Sequence, residues 1–114
     1  MNVINLTPHP IVVRMQDGSD VVYPTSGIVA RVSEKQMQAS RDNLNGIPLV
    51  GKSVLDKVID LPDRVDGTIY LVSGMVAQNV SREDVYSPAT GPNDGAIRND
   101  KGHIIAVTKL KETV

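Results

Sequence analysis

The regular spacing of turn residues constrains the fold of this chain more than any other feature. Clusters of Gly, Pro, Asn and Asp recur about every dozen residues, and short runs rich in Val and Ile lie between them, a rhythm typical of small β proteins. A glycine turn between two β-prone runs predicts a hairpin. Two hairpins are therefore expected, one over Ile11–Met15 and Asp20–Tyr23, the other over Ala96–Asn99 and His103–Leu110.

Composition limits how such a fold can be stabilised. The 114 residues include no Phe, no Trp and only three Tyr, so Val, Ile and Leu must form the core, and these favour strands. We expect a single globular domain over residues 1–114. The predicted fold is mainly β, at the margin of α+β: a small antiparallel curled sheet or partly open barrel with one or two short helices.

Charge and residue usage exclude several function classes. The net charge is −1 with no basic run, and aromatic residues are few, so nucleic acid is not expected as a partner. The absence of cysteine removes disulfides, thiol nucleophiles and cysteine zinc sites. The first residues lack the pattern of a signal peptide, and no apolar run reaches the roughly 20 residues of a membrane span. We expect a cytoplasmic protein without membrane contact or cofactor.

Residues 34–60 permit two interpretations. A capping box at Ser33–Gln36 and the glycine Gly46 allow a helix over residues 34–45, but the apolar stripe is poor. We favour a strand running to about Gln38, followed by a polar loop over residues 39–46. The segment Ser53–Leu61 has helical spacing, yet its β-branched residues favour a strand slightly.

The segment Gly67–Asn79 predicts a strand followed by a short helix. Thr68–Val72 is apolar, and small residues over Gly74–Val80 allow about two helical turns. Backbone N–H groups at such a joint suit a polar ligand group. Ser73 is equally well explained as the helix N-cap. The longest loop is predicted over Ser87–Gly95.

Two arginines stand out because they lie in apolar β segments. Arg31 and Arg98 suit a phosphate or carboxylate if they face a pocket, although simple strand alternation also places them in solvent. With residues of nearby loops and the joint, they complete the predicted ligand-binding set: His9, Arg31, Ser73, Gln78, Thr90 and Arg98. The carboxylates of 56–66 and of Glu83-Asp84 are interpreted as solvated surface groups.

The two histidines are the only groups expected to titrate near neutral pH. His9 lies between two prolines and His103 follows a hairpin glycine. They could converge if the first and last strands were neighbours, but no metal-ligand spacing accompanies them. Both are explained as turn residues, and no catalytic or metal-binding residue is assigned.

Four segments together resemble a known family. They are NLTPHPIVV (residues 5–13), YPTSGIVARV (23–32), GTIYLVSGMVAQ (67–78) and SPATGP followed by AIRNDKGHIIAV (87–92 and 96–107). Their order resembles that of a family of small uncharacterised bacterial and phage or prophage proteins, over most of the chain. The resemblance implies a cytoplasmic protein of a bacterial or phage-infected cell, and it supplies no activity.

Three hypotheses of function remain. The first is a non-enzymatic β-rich module for protein interaction, with a host protein or by homo-oligomerisation. The second is a module that binds or sequesters a small anionic, nucleotide-like ligand through the arginines. The third is a hydrolase or lyase with His9 or His103 as the base. The first is favoured.

Alternation predicts that both arginines are solvated, and this can be tested. Arg31→Ala and Arg98→Ala are each expected to change the free energy of unfolding by less than about 0.5 kcal/mol. Urea denaturation measures the change. A clearly larger loss in either variant would contradict alternation and place that guanidinium in a pocket.

Overall fold

The computed structural model describes all 114 residues, in twelve strands and one helix. The prediction of a mainly β fold is confirmed, and none of the sheets closes into a barrel. The elements are β1 (Asn2–Asn5), β2 (Ile11–Arg14), β3 (Asp20–Tyr23), β4 (Arg31–Gln36), β5 (Asn43–Leu44), β6 (Ile47–Pro48), β7 (Ser53–Ile59), β8 (Thr68–Leu71), α1 (Gly74–Ala77), β9 (Val85–Pro88), β10 (Ile97–Arg98), β11 (Ile104–Ala106) and β12 (Leu110–Glu112).

The central sheet has the order β1-β8-β9-β12. Strand β8 is parallel to both β1 and β9, whereas β12 is antiparallel to β9. The other strand pairs in the molecule are antiparallel, as predicted. Of the two parallel pairs, β8–β9 is connected through α1, whereas β1–β8 joins strands far apart in the chain, with Asn2 opposite Thr68. Strands β1 and β12 lie at opposite edges of this sheet, so the first and last strands are not neighbours.

Both faces of the inner strand β8 are covered, which explains why its residues Ile69, Tyr70 and Leu71 are all apolar. Alternate residues point to opposite faces, so Tyr70 and Leu71 enter different clusters. On one face β2, β3 and the chain around Val107 cover the sheet; on the other, α1 and the base of β4 and β7 do. The first cluster comprises Ile11, Leu71 and Val107; the second comprises Leu6, Ala30, Tyr70, Val72, Val76 and Val85.

The short-range predictions hold with shifted boundaries. The β2–β3 and β10–β11 hairpins form as expected. The predicted strand His103–Leu110 is wrong as one element, since β11 ends at Ala106 and the following β12 pairs with β9. The predicted loop Ser87–Gly95 begins later, because its first two residues belong to β9. Helix α1 has four residues and ends at Ala77, short of Val80, and no helix is long and apolar enough to cross a membrane.

Residues 31–59 form a long two-stranded ribbon, which we call the arm. Strands β4 and β7 pair along it, and β5 and β6 form its tip. The favoured strands are confirmed and the helix over residues 34–45 is wrong. Asn45 and Gly46 have φ of 52° and 82°, the pattern of the tight turn that Asn-Gly favours between strands. The segment 39–46, predicted as a polar loop, therefore contains strand β5 and a hairpin turn that the prediction did not include.

A bend separates the tip from the paired β4 and β7. At the bend the backbone of Gly51 approaches that of Met37 so closely that a Cβ on Gly51 would lie 1.7 Å from the Met37 carbonyl oxygen. Any side chain there must displace one strand. The close approach of the two backbones at this point therefore requires a glycine at position 51.

The side-chain amide of Asn5 links the central sheet to the β2–β3 layer. Its Nδ2 donates to the carbonyl oxygens of His9 and Tyr23, at 2.8 and 3.0 Å. Its Oδ1 accepts from the N–H and the hydroxyl of Thr7, at 2.9 and 2.7 Å. Asn5 is 1% exposed, and both donors and both acceptor sites of the amide are used. The amide therefore fixes the loop after β1 against the end of β3.

We expect Asn5→Ala to lower the free energy of unfolding by about 2–4 kcal/mol, because the buried N–H of Thr7 and the part-buried carbonyl oxygens of His9 and Tyr23 each lose a hydrogen bond. Asn2→Ala is the matched control, since Asn2 is an exposed residue of the same strand and its loss should cost less than about 0.5 kcal/mol. Urea denaturation followed by circular dichroism gives both values. Equal losses would show that the amide network does not hold the layers together.

Candidate functional site

One edge of the central sheet collects most of the predicted site residues. Because β1, β8 and β9 are parallel, the loops that follow them meet at the same edge. In sheets of this kind, ligands commonly bind at that carboxyl edge. Four predicted residues lie in or next to these loops: His9, Ser73, Gln78 and Thr90. The sequence thus identified this region, although it gave no indication that parallel pairing would assemble it.

Two clefts open at this edge, and Thr90 lines both. The first, the helix cleft, has a volume of about 400 Å³ and brings Thr90 together with Gln78. The second, the His9 cleft, has a volume of about 310 Å³ and brings Thr90 together with His9. Both volumes are at the low end for small-molecule sites.

The helix cleft has the wrong charge balance for an anion. Lys111 is the only cation among its lining residues, against the carboxylates Asp94 and Glu112. Asp94 Oδ2 already accepts the N–H of Gly91 at 2.8 Å, closing the loop that follows β9. The two acidic groups disfavour a phosphate or carboxylate ligand here.

Ser73 has a structural role as the N-cap of α1. Its hydroxyl accepts the N–H of Val76 at 3.4 Å, so the predicted N-cap is confirmed. The helix that it caps is a single turn, whose alignment of peptide dipoles is too short to provide a strong anion site.

The two arginines are not brought together at this edge. Arg31 Nη2 lies 3.5 Å from Asp60 Oδ2, and both side chains of this ion pair are more than half exposed. Arg98 Nη1 donates to the carbonyl oxygen of Gly102 at 2.8 Å, within an exposed hairpin turn. Neither lines the helix cleft or the His9 cleft. The nucleotide-binding hypothesis required their convergence, and the geometry does not favour it.

Both histidines are exposed. The backbone carbonyl of His9 accepts the Asn5 amide, and the backbone N–H of His103 donates to Asn99 Oδ1 at 3.0 Å. These bonds involve only the main chain of each histidine, as expected of turn residues. The side chain of His9 lines the His9 cleft, and His103 is exposed to solvent. His9 shares its cleft mainly with apolar side chains, which offer no carboxylate or activated nucleophile for general-base chemistry.

An ion pair with a buried carboxylate forms between Arg82 and Asp84, and the sequence did not predict it. Arg82 donates to both carboxylate oxygens of Asp84, at 3.0 and 2.7 Å, and to the carbonyl oxygen of Pro62 at 3.0 Å. Asp84 is only 5% exposed, so its interpretation as a solvated group is wrong. The two residues lie in a turn that precedes β9, closed by the Val85 N–H bond to the Arg82 carbonyl oxygen at 3.3 Å, and the sequence pattern did not indicate this pairing.

The same ion pair shifts the ionisation of both partners. Hydrogen bonds from Arg82 lower the pKa of Asp84, and the carboxylate raises the pKa of Arg82 in return. The hydroxyl of Thr113 accepts the N–H of Arg82 at 3.1 Å and donates to the Arg82 carbonyl oxygen at 2.7 Å. This cluster fastens the end of the chain beside the central sheet and has a structural role.

The arm carries a group of exposed apolar side chains away from this edge. Every residue from 40 to 50 is exposed, and no residue from 31 to 69 is buried. The exposed apolar side chains of the arm are Met37, Leu44, Ile47, Leu49, Val50 and Leu55. Exposed apolar surface concentrated on one element is a mark of an interaction site.

Asp84→Asn is expected to lower the free energy of unfolding at neutral pH by about 1–2 kcal/mol, because a charge-assisted pair is lost. The pKa of Asp84 is lower in the folded than in the unfolded chain, where it is about 3.9. The stabilisation is therefore complete above about pH 4 and disappears as the pH falls through the folded value. Urea denaturation at a series of pH values should show the difference between wild type and variant shrinking below about pH 4.

Glu83→Gln is the control for this pH dependence. Its carboxylate is 75% exposed and lies 3.6 Å from Arg64, so the variant should match the wild type within about 0.5 kcal/mol at neutral pH. If the difference in free energy of unfolding between the wild type and Asp84→Asn stayed constant down to about pH 2, the stabilisation would not come from the charge on Asp84.

Comparison with known proteins assigns no role to either cleft or to the arm. No match was found among protein-family models, curated proteins or solved structures. Function must therefore be argued from the geometry and chemistry of this chain.

Proposed function

We propose that the protein is a non-enzymatic interaction module and that the arm is its contact element. The observation that carries the proposal is the extended shape of the molecule. The radius of gyration is 18.0 Å and the longest dimension 61 Å, whereas a compact chain of this length has a radius of about 13 Å. The arm, which carries no buried residue, accounts for the extension.

The arm is poorly stabilised by contacts within the chain. Strands β4 and β7 form a sheet of only two strands, and so do β5 and β6. Two-stranded ribbons are marginally stable in water unless a further strand or a packed face supports them. Only the base of the arm has such support, where Val32 and Val58 pack against the core. A protein surface that covers the outer part would provide the missing contacts.

The chemistry of the tip supports binding to protein. Residues 43–50 contain no charged side chain, although they are among the most exposed of the chain. Leu44 and Ile47 are directly opposite each other in the β5–β6 pair and so share one face of the ribbon. Exposed apolar side chains at the end of a protruding hairpin suit insertion into another protein.

The family resemblance and the lack of cysteine agree with this setting. A cytoplasmic module of a bacterial or phage-infected cell would meet host proteins and copies of itself. An interaction role needs no catalytic group, and the exposed histidines and the dispersed arginines are compatible with it.

Photo-crosslinking in cells tests the proposal. With p-benzoylphenylalanine in place of Ile47, which is 62% exposed, irradiation should join the tip to a discrete protein partner. The same group at Val65, 54% exposed and outside the arm, is the matched control. Denaturing gels and mass spectrometry identify the adducts. Adducts from Ile47 no more discrete or abundant than those from Val65 would contradict the proposal.

A shortened arm provides a second control. Met37 N–H donates to the Lys52 carbonyl oxygen at 2.9 Å, so an Asn-Gly turn can replace residues 38–51 between them. We expect the association to be lost while the melting temperature of the remaining domain is nearly unchanged, because the removed residues are not buried.

A further inference from the structure

The tip of the arm matches a cleft on the same molecule in size and chemistry. The His9 cleft has six apolar residues among its ten lining residues. Ile104 and Ile105 at its rim are 37% and 49% exposed. Its only titratable lining residue is His9, and the tip carries no charge at all. An uncharged tip can enter this largely apolar cleft without bringing an ionised group of its own that would be buried and unpaired.

The volumes agree as well. Truncation of one buried leucine leaves a cavity of about 150 Å³. A cleft of about 310 Å³ therefore holds about two branched aliphatic side chains. The tip presents two such side chains on one face, since Leu44 and Ile47 are cross-strand neighbours. Pro48, next to Ile47 in β6, lacks the N–H that an added strand would require, so side-chain insertion is favoured over strand addition.

We infer that the tip of one copy occupies the His9 cleft of a second copy, and that two copies exchange their arms reciprocally. A stable interface buries about 800 Å² on each partner, so contact area is a constraint on any dimer built from two-residue strands such as β5 and β6. Reciprocal exchange doubles the contact, because each copy contributes a tip and a cleft, as two-fold symmetry requires. The inference rests on the proposed function and names its partner as this chain itself.

Disulfide trapping tests the inference, and the absence of native cysteine makes it specific. Ile47→Cys and Ile105→Cys are purified separately, mixed and treated with oxidised glutathione. The main product should be a dimer with one chain of each variant. Ile104→Cys provides a second cleft position in case Ile105→Cys does not fold. A chain with both cysteines should close as a dimer, not extend into a ladder.

Val65→Cys mixed with Ile47→Cys is the control and should give no main product. Three results would overturn the inference: a disulfide between two Ile47→Cys tips as the main species, a ladder from the double variant, or no mixed dimer at either cleft position. In sedimentation experiments, Ile47→Asp should raise the dimer dissociation constant at least about 30-fold, as expected for loss of a central anchor. An unchanged constant would also overturn it.

The two proposals fail in different ways. If photo-crosslinking at Ile47 captures a different protein and no mixed disulfide forms, the interaction role stands and the second copy is the wrong partner. If neither experiment joins the tip to any protein, both proposals fail.

Discussion

The hydrogen bonds of the Asn5 amide hold together the layers on which the remaining structure depends. Asn5 ends the first strand of the central sheet, and its side chain binds backbone groups of His9 and Tyr23 on the layer above. No buried side-chain nitrogen or oxygen in the molecule lacks a partner. Since an unsatisfied buried amide is costly, this arrangement permits one orientation of the β2–β3 layer. That orientation in turn sets the walls of the His9 cleft.

The molecule divides its residues between a well-packed body and an arm without a core. The body buries both faces of its central sheet, whereas no residue from 31 to 69 is buried. Backbone pairing and the close crossing at Gly51 give the arm its shape, but they provide little burial of apolar surface, the main source of stability. This lack of burial is the physical basis for proposing the arm as a contact element.

The sequence indicated which loops form the candidate site, but it wrongly grouped the two arginines with them and did not identify the buried carboxylate of Asp84. His9, Ser73, Gln78 and Thr90 were identified from loops and a strand–helix joint, and parallel pairing brings those segments to one edge. The arginines were overvalued because an Arg in an apolar run has the same pattern whether it faces solvent or a pocket. Asp84 was undervalued for the opposite reason: burial of a carboxylate depends on what packs over it, here Arg82 and the chain near Pro62.

The sequence by itself determined the local features: the β2–β3 turn, the Ser73 cap and the preference for strands. These depend on groups a few residues apart, whose geometry is fixed by backbone sterics and short hydrogen bonds. Only the tertiary structure decided that β1 pairs with β8 in parallel and that residues 31–59 extend as an arm. Such pairings join segments separated by long stretches of chain, and many alternative pairings satisfy the same local pattern. The choice among them is made by burial of the two sheet faces, which involves the whole chain at once.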